Sequence, residues 1–148
     1  MAEIFTDAGI DYILGIIPKG GALGTLSLGV FTSQTPTTVP TRTQTLGAGI
    51  TEPASGTGGY ARVTIATGDW GAASTNGNGR RITSAQKSFP ETTAAWNPAS
   101  ANGSFIATGT TVGAGTVIYA ANFDDGLAAN MNAAGLVLRV TPFWQLDG

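Results

Sequence analysis

The chain contains no histidine and no cysteine. That excludes disulfides, thiolate nucleophiles, Ser-His-Asp catalysis and zinc sites built from His and Cys ligands. Charge is also scarce. Seven basic and nine acidic residues make 11% of the 148 positions, against about 25% in ordinary globular domains. The cations are Lys19, Arg42, Arg62, Arg80, Arg81, Lys87 and Arg139, and only Arg80 and Arg81 are adjacent. Neutralising a nucleic-acid backbone needs clustered Lys and Arg, so no nucleic-acid partner is expected. No apolar run approaches the roughly 20 residues of a membrane-spanning helix, so no membrane association is expected. The opening MAEIFTD is acidic where a secretory signal would be basic.

What replaces charge is threonine and glycine, 22 of each. Threonine is β-branched and favours strands, and glycine punctuates them at turns and bulges. The length fits one domain, residues 1–148, large enough to bury about 68–70% of the surface of its unfolded chain. Freely soluble monomers generally carry more surface charge, so much of this neutral surface is expected to lie against other subunits.

Thr6 and Asp7 open a helical pattern in which Ile10, Ile13, Leu14 and Ile17 recur on one stripe. Pro18 and Gly20-Gly21 end it. Strands follow over residues 23–32, 60–67, 81–89, 104–108, 116–123 and 136–146, each read from alternation. Pro142 predicts a bend or an edge in the last. Trp96, in a Pro/Asn/Gly-rich loop, reads as an aromatic anchor on the core. The two Asn-Gly pairs at 76–79 and Asp125-Gly126 are turn signals. The expected fold is all-β: an antiparallel β-sandwich or jelly-roll-like domain with one short N-terminal helix.

Chemistry without histidine would fall to the carboxylates, Lys or Tyr. Of the carboxylates only Asp124 and Asp125 are neighbours, and neighbours on a strand point to opposite faces. Asp69 with Glu91 is the one glycosidase-like pair worth naming, and nothing in the pattern supports it. The NFDDG segment offers oxygen ligands for Ca²⁺ but lacks EF-hand spacing, so it reads as an Asp-Gly turn. The glycine clusters lack the phosphate-loop pattern. The expectation is no enzyme activity, no metal and no cofactor.

Residues 58–70, GGYARVTIATGDW, hold the most telling pattern. Alternation places Ala61, Val63 and Ile65 on one face and Tyr60, Arg62, Thr64 and Ala66 on the other. Arg62 can stack on Tyr60, pair with Glu52, or reach an acid on a neighbouring subunit. Before it, residues 33–59 are rich in Thr, Pro and Gly and show no clear strand. A stretch that long is either a loop or an extended arm lying along a neighbour. The candidate inter-subunit contacts are Tyr60, Arg62, Pro36, Pro40 and Arg42.

Several of these segments together resemble a group of small tailed-bacteriophage virion proteins. They are the opening TDAGIDYILG, the strand ending LGVFTS, the Thr/Pro stretch leading to Glu52, GGYAR at 58–62, and Trp70. With them go ITSAQKSFP at 82–90, Trp96 after it, and the Val/Leu-rich final strand. The resemblance implies a β-rich building block of the particle, located in the virion and assembled in the host cytoplasm. With the composition it suggests a capsid decoration or cement protein that bridges capsid subunits. Its partners would be the major capsid protein and copies of itself, as a trimer. Two alternatives stand beside it. One is a tail-fibre or baseplate protein contacting the host. The other is a carbohydrate-binding β-sandwich using Trp70, Trp96 or Trp144 as the stacking platform.

Overall fold

The computed structural model describes residues 3–32, 40–77, 79–123 and 128–146. Pro36 and the turn expected at Asp124–Asp125–Gly126 lie outside these residues. The strands are β1 (Glu3–Phe5), β2 (Leu26–Phe31), β3 (Thr45–Leu46), β4 (Gly49–Ile50), β5 (Val63–Ile65), β6 (Ser74–Asn76) and β7 (Gly79–Thr83). They continue with β8 (Lys87–Ser88), β9 (Ser100–Ala101), β10 (Gly103–Thr108), β11 (Val117–Asn122), β12 (Ala129–Asn130), β13 (Arg139–Val140) and β14 (Phe143–Leu146). One α-helix, α1 (Asp7–Ile16), joins β1 to this framework. The fold is all-β with a single short N-terminal helix, and its sheets are antiparallel apart from the small β3–β4 pair. The last expected strand is interrupted at Pro142, between β13 and β14, because proline cannot donate to a ladder.

The main sheet has five strands in the order β1-β11-β10-β2-β5. Every residue of β2 and of β11 is buried, so this sheet is covered on both faces. On the first face Leu26, Leu28, Val30, Ile106, Tyr119 and Ala121 form one core with Phe89, Trp96, Met131, Phe143 and Trp144. That opposing layer is built from short pairs: β7 with β14, β8 with β13, and β9 with β12. Trp96 is the expected anchor, packed edge-on against Tyr60 (ring centroids 5.0 Å apart) and Phe89 (6.0 Å).

On the second face Phe31, Phe105, Ala107, Val117 and Ala120 pack with Ile50 and Leu46. Residues 40–52 are therefore this chain's own cover for its sheet. The sequence left open a loop or an extended arm lying along a neighbour. The described part instead folds back, because Ile50 and Pro40 are fully buried here and the apolar sheet face beneath needs covering. Two reciprocal pairs thin the sheet at this face. Phe105 lies opposite Gly29 and Phe31 opposite Gly103, and in each case a Cβ on the glycine would come within 2.3 Å of the ring.

The helix is set by a bulge. Ile106 pairs with Tyr119 but Ala107 with Val117, leaving Ile118 as the extra residue. The Ile118 carbonyl accepts from the Thr6 backbone N–H at 3.0 Å, and the Val117 carbonyl accepts from the Thr6 hydroxyl. The same hydroxyl oxygen caps the helix by accepting from Gly9 N–H at 2.9 Å, as the sequence indicated. Of the expected isoleucine stripe Ile13 packs against the core, with Tyr12 beside it, but the closest approach is made by a residue outside the stripe. Gly9 is the buried helix residue, and a Cβ there would lie 2.4 Å from the Ile118 backbone. Ile10 and Ile13 are half-buried, and Leu14 stands 61% exposed.

Candidate functional site

The most concentrated chemistry in the described residues surrounds Glu52 and Arg62. Gly56, Gly58 and Gly59 all take positive φ (72°, 58° and 82°), carrying the chain from residue 52 round to Tyr60. Gly58 has no room for a side chain, since a Cβ would sit 2.4 Å from the Ala94 carbonyl oxygen. The glycine pair is thus the joint where the covering segment enters the sheet. Beyond it only Val63–Ile65 pairs as strand.

Alternation put Tyr60 and Arg62 on an outer face. Both are buried, and Ala61, expected inside, is exposed. The pairing at this end of the sheet begins only at Val63, so residues 60–62 obey the joint and not the pleat. Tyr60 enters the aromatic core. Its hydroxyl accepts from Val30 N–H at 3.2 Å and donates to Glu52 Oε2 at 3.0 Å. Arg62 grips the same carboxylate with two donors, Nε to Oε2 at 3.0 Å and Nη2 to Oε1 at 2.5 Å. Its Nη1 donates to the Ala114 carbonyl at 2.8 Å, and its guanidinium lies 5.1 Å from the Phe105 ring centre. Gly113 N–H completes the carboxylate at 2.5 Å. The Arg62 side chain is 0% exposed and that of Glu52 4%.

This arrangement joins three segments: the covering stretch through Glu52, the entry to β5 through Tyr60 and Arg62, and the β10–β11 loop through residues 113–114. Both carboxylate oxygens are occupied by the chain's own donors, so the group has no lone pair aimed at a substrate. Burial, and next the Glu52 charge, push the Tyr60 hydroxyl pKa well above its usual range, which keeps it a neutral donor. The cluster is a fastening. Of the alternatives for Arg62, the intrachain pair with Glu52 is the one formed.

The other expected contacts fall elsewhere. Pro40 is fully buried, and Pro36 is outside the described residues. With Tyr60 and Arg62 also interior, three of the five side chains have little surface to offer a neighbour, because the domain uses them to cover its own core. Arg42 is exposed and pairs with Asp7, Nε to Oδ1 at 2.8 Å, with 58% and 51% of the two side chains open to solvent. A third ion pair joins Lys87 to Asp69. The Lys87 hydrogen bond, then that from Ala66 N–H, hold the Asp69 carboxyl below its usual pKa. Glu91 takes no part in it, so the suggested Asp69–Glu91 pair has no shared partner. Among the described residues no group of three Asp or Glu converges as a metal site.

Comparison with protein-family models, with curated proteins and with solved structures finds no match.

Two surface features escaped the sequence reading. The first is a solvent-open trough of about 490 Å³ between the two layers, floored by Ala121, Phe123, Leu138, Val140 and Phe143, with Arg139 on its rim. The only sequence signal for it was a single cation set in the apolar run LVLRV. The second is the outer side of α1, where Leu14 and the nearby Leu23 (41% exposed) stand beside Asp11. Of the three tryptophans, Trp96 is buried, and Trp144 packs between Phe5 and Trp70 at 5.7 and 5.3 Å. Trp70 borders a cavity of about 230 Å³ with Leu23, Ile65 and Thr67.

Proposed function

We propose that this chain is a non-enzymatic structural protein of a bacteriophage particle, most specifically a capsid decoration or cement protein that bridges neighbouring capsid subunits. The observation that carries this reading is how the chain distributes its polar chemistry. The interior ion pair is closed on itself, and several short exposed stretches carry no charge at all: Gly71 to Thr75, Gly109 to Thr111, and Asn132 to Gly135. Such a surface is poor at holding a freely diffusing monomer in solution and well suited to burial against another protein. The likeness of several sequence segments to small virion proteins points the same way. In mechanical terms, a sheet covered on both faces and fastened at Glu52–Arg62 is a rigid plate. A cement protein needs such a plate in order to transmit load between the subunits it touches.

The test is direct. Particles assembled with and without the protein are heated, and release of their contents is followed with a DNA-binding dye. Decorated particles should release at a higher temperature; equal release temperatures would rule out the cement role. Antibody labelling of intact particles separates head from tail and so distinguishes the tail-fibre or baseplate alternative. The carbohydrate reading rests on Trp70 and Trp144, which border cavities of about 230 and 170 Å³; the larger, at Trp70, is the one to test first. Glycan-array binding lost in Trp70→Ala would favour it.

A further inference from the structure

Among the described residues, two features of the surface complement one another. The trough between the layers is apolar and carries Arg139 at its rim. Arg139 makes no hydrogen bond or ion pair with any described residue, although the chain has only seven cations. The outer side of α1 is apolar at Leu14, with half-buried Ile10 next to it. It carries Asp11, which is exposed and likewise unpaired. Among the described acids, Asp7, Glu52 and Asp69 are committed to Arg42, Arg62 and Lys87. Of the other described acids, Glu3, Asp11 and Glu91, Asp11 is the one a helical turn from the exposed Leu14.

We infer that α1 of one copy docks into the trough of the next, with Leu14 and Ile10 entering the apolar floor and Asp11 pairing with Arg139. Within one chain Asp11 and Arg139 do not pair. The helix sits on Ile118, at the start of β11, and the trough begins at Ala121 and runs past its end. At about 3.3 Å per residue the three steps from Ile118 to Ala121 put about 10 Å of strand between the helix seat and the near end of the trough. The contact uses two different patches, so it is heterologous, and repetition closes a ring when the rotation between copies allows. A trough of about 490 Å³ accommodates several aliphatic side chains, and burying Leu14 there removes the most exposed apolar group on the helix. Charge complementarity fixes the direction of docking. The proposal deepens the structural reading above and rests on it for its biological setting, while the contact itself is testable on purified protein.

The experiment is sedimentation velocity on the full chain over a range of concentrations, with circular dichroism to verify folding. The wild type should self-associate. Asp11→Arg and Arg139→Asp should each weaken association by about tenfold or more, and the double charge swap should restore it. Both residues are exposed, so folding is expected to survive; Leu14→Ser offers a third route to the same loss without touching charge. A wild type that stays monomeric throughout, or single variants that associate like the wild type, would overturn the inference. So would a swapped pair that stays as weak as the single variants. The same variants are then added to undecorated particles. A monomer that still stabilises particles refutes this contact and leaves the cement role standing. An oligomer that obeys the charge swap but does nothing for particles refutes the role and leaves the contact.

Discussion

Glu52→Gln is the substitution whose outcome the structure specifies most sharply. The carboxylate faces an Arg62 side chain with no solvent exposure and is itself 4% exposed. Removing its charge leaves a guanidinium buried without a counter-charge, which costs about 3–5 kcal/mol in comparable pairs. Glutamine also has one acceptor oxygen where the carboxylate had two. It cannot serve Tyr60 and Gly113 as well as Arg62, and an orphaned donor adds about 1–3 kcal/mol. Against a total stability of about 5–15 kcal/mol, the variant is expected to be severely weakened, with Tm lowered by on the order of 10 °C or more. Urea denaturation measures it, with an unchanged m-value certifying that the folded and unfolded states are the same. The internal control is Asp7→Asn, which breaks an ion pair more than half exposed and should cost less than about 1 kcal/mol. Salt should erase the effect of Asp7→Asn and leave that of Glu52→Gln nearly intact. A loss below about 1 kcal/mol for Glu52→Gln, or one equal to the control, would refute the claim that this cluster fastens the domain.

Alkaline pH should reveal Tyr60. Its pKa is raised in the fold above the unfolded value of 10.0. The stabilisation is therefore fully present below pH 10 and is lost as pH rises beyond it. Thermal melts of wild type and Tyr60→Phe between pH 8 and about 11.5 should show a steeper decline for the wild type; parallel declines would contradict it. Gly29→Ala should destabilise by about 1–3 kcal/mol through overpacking. The neighbouring atoms all belong to the Phe105 ring, so Phe105→Leu should recover part of that loss in a double-mutant denaturation cycle. In Gly103→Ala the Cβ also meets the Ala121 carbonyl oxygen at 2.3 Å, so trimming Phe31 should recover less. Gly9→Ala raises intrinsic helix propensity by about 1 kcal/mol, yet should lower stability, because the added Cβ meets the Ile118 backbone. Chemical denaturation giving a more stable Gly9→Ala would show that α1 is not seated on the bulge.

What could be read in the sequence was whatever local chemistry settles. The Thr6 cap depends on residues three apart, the Gly58-Gly59 joint on φ angles that glycine alone adopts freely, and the Pro142 break on a missing donor. The all-β class followed from threonine, glycine and period-2 patterning. Those rules act within a few residues, so they survive without knowledge of the partners.

What required the tertiary structure was the meaning of a face. Alternation sorts residues into two sides but names one of them inside only when the other is wet. In this sheet both sides of β2 and β11 are buried. Residues 60–62 precede the paired part of β5, so the pattern placed Tyr60 and Arg62 on an outer surface, when one completes the aromatic core and the other a buried ion pair. The same holds for residues 40–52, whose Thr/Pro/Gly composition gives no hint that Ile50 covers Phe31 and Phe105 across the fold. It holds again for α1, where the apolar stripe foretold the packing of Ile13 but not the close approach of Gly9 to the bulge at Ile118. Burial depends on contacts between residues far apart in the chain. The sequence by itself therefore determined which elements form, and only their packing decided which side chains hold the domain together and which remain free for a neighbour.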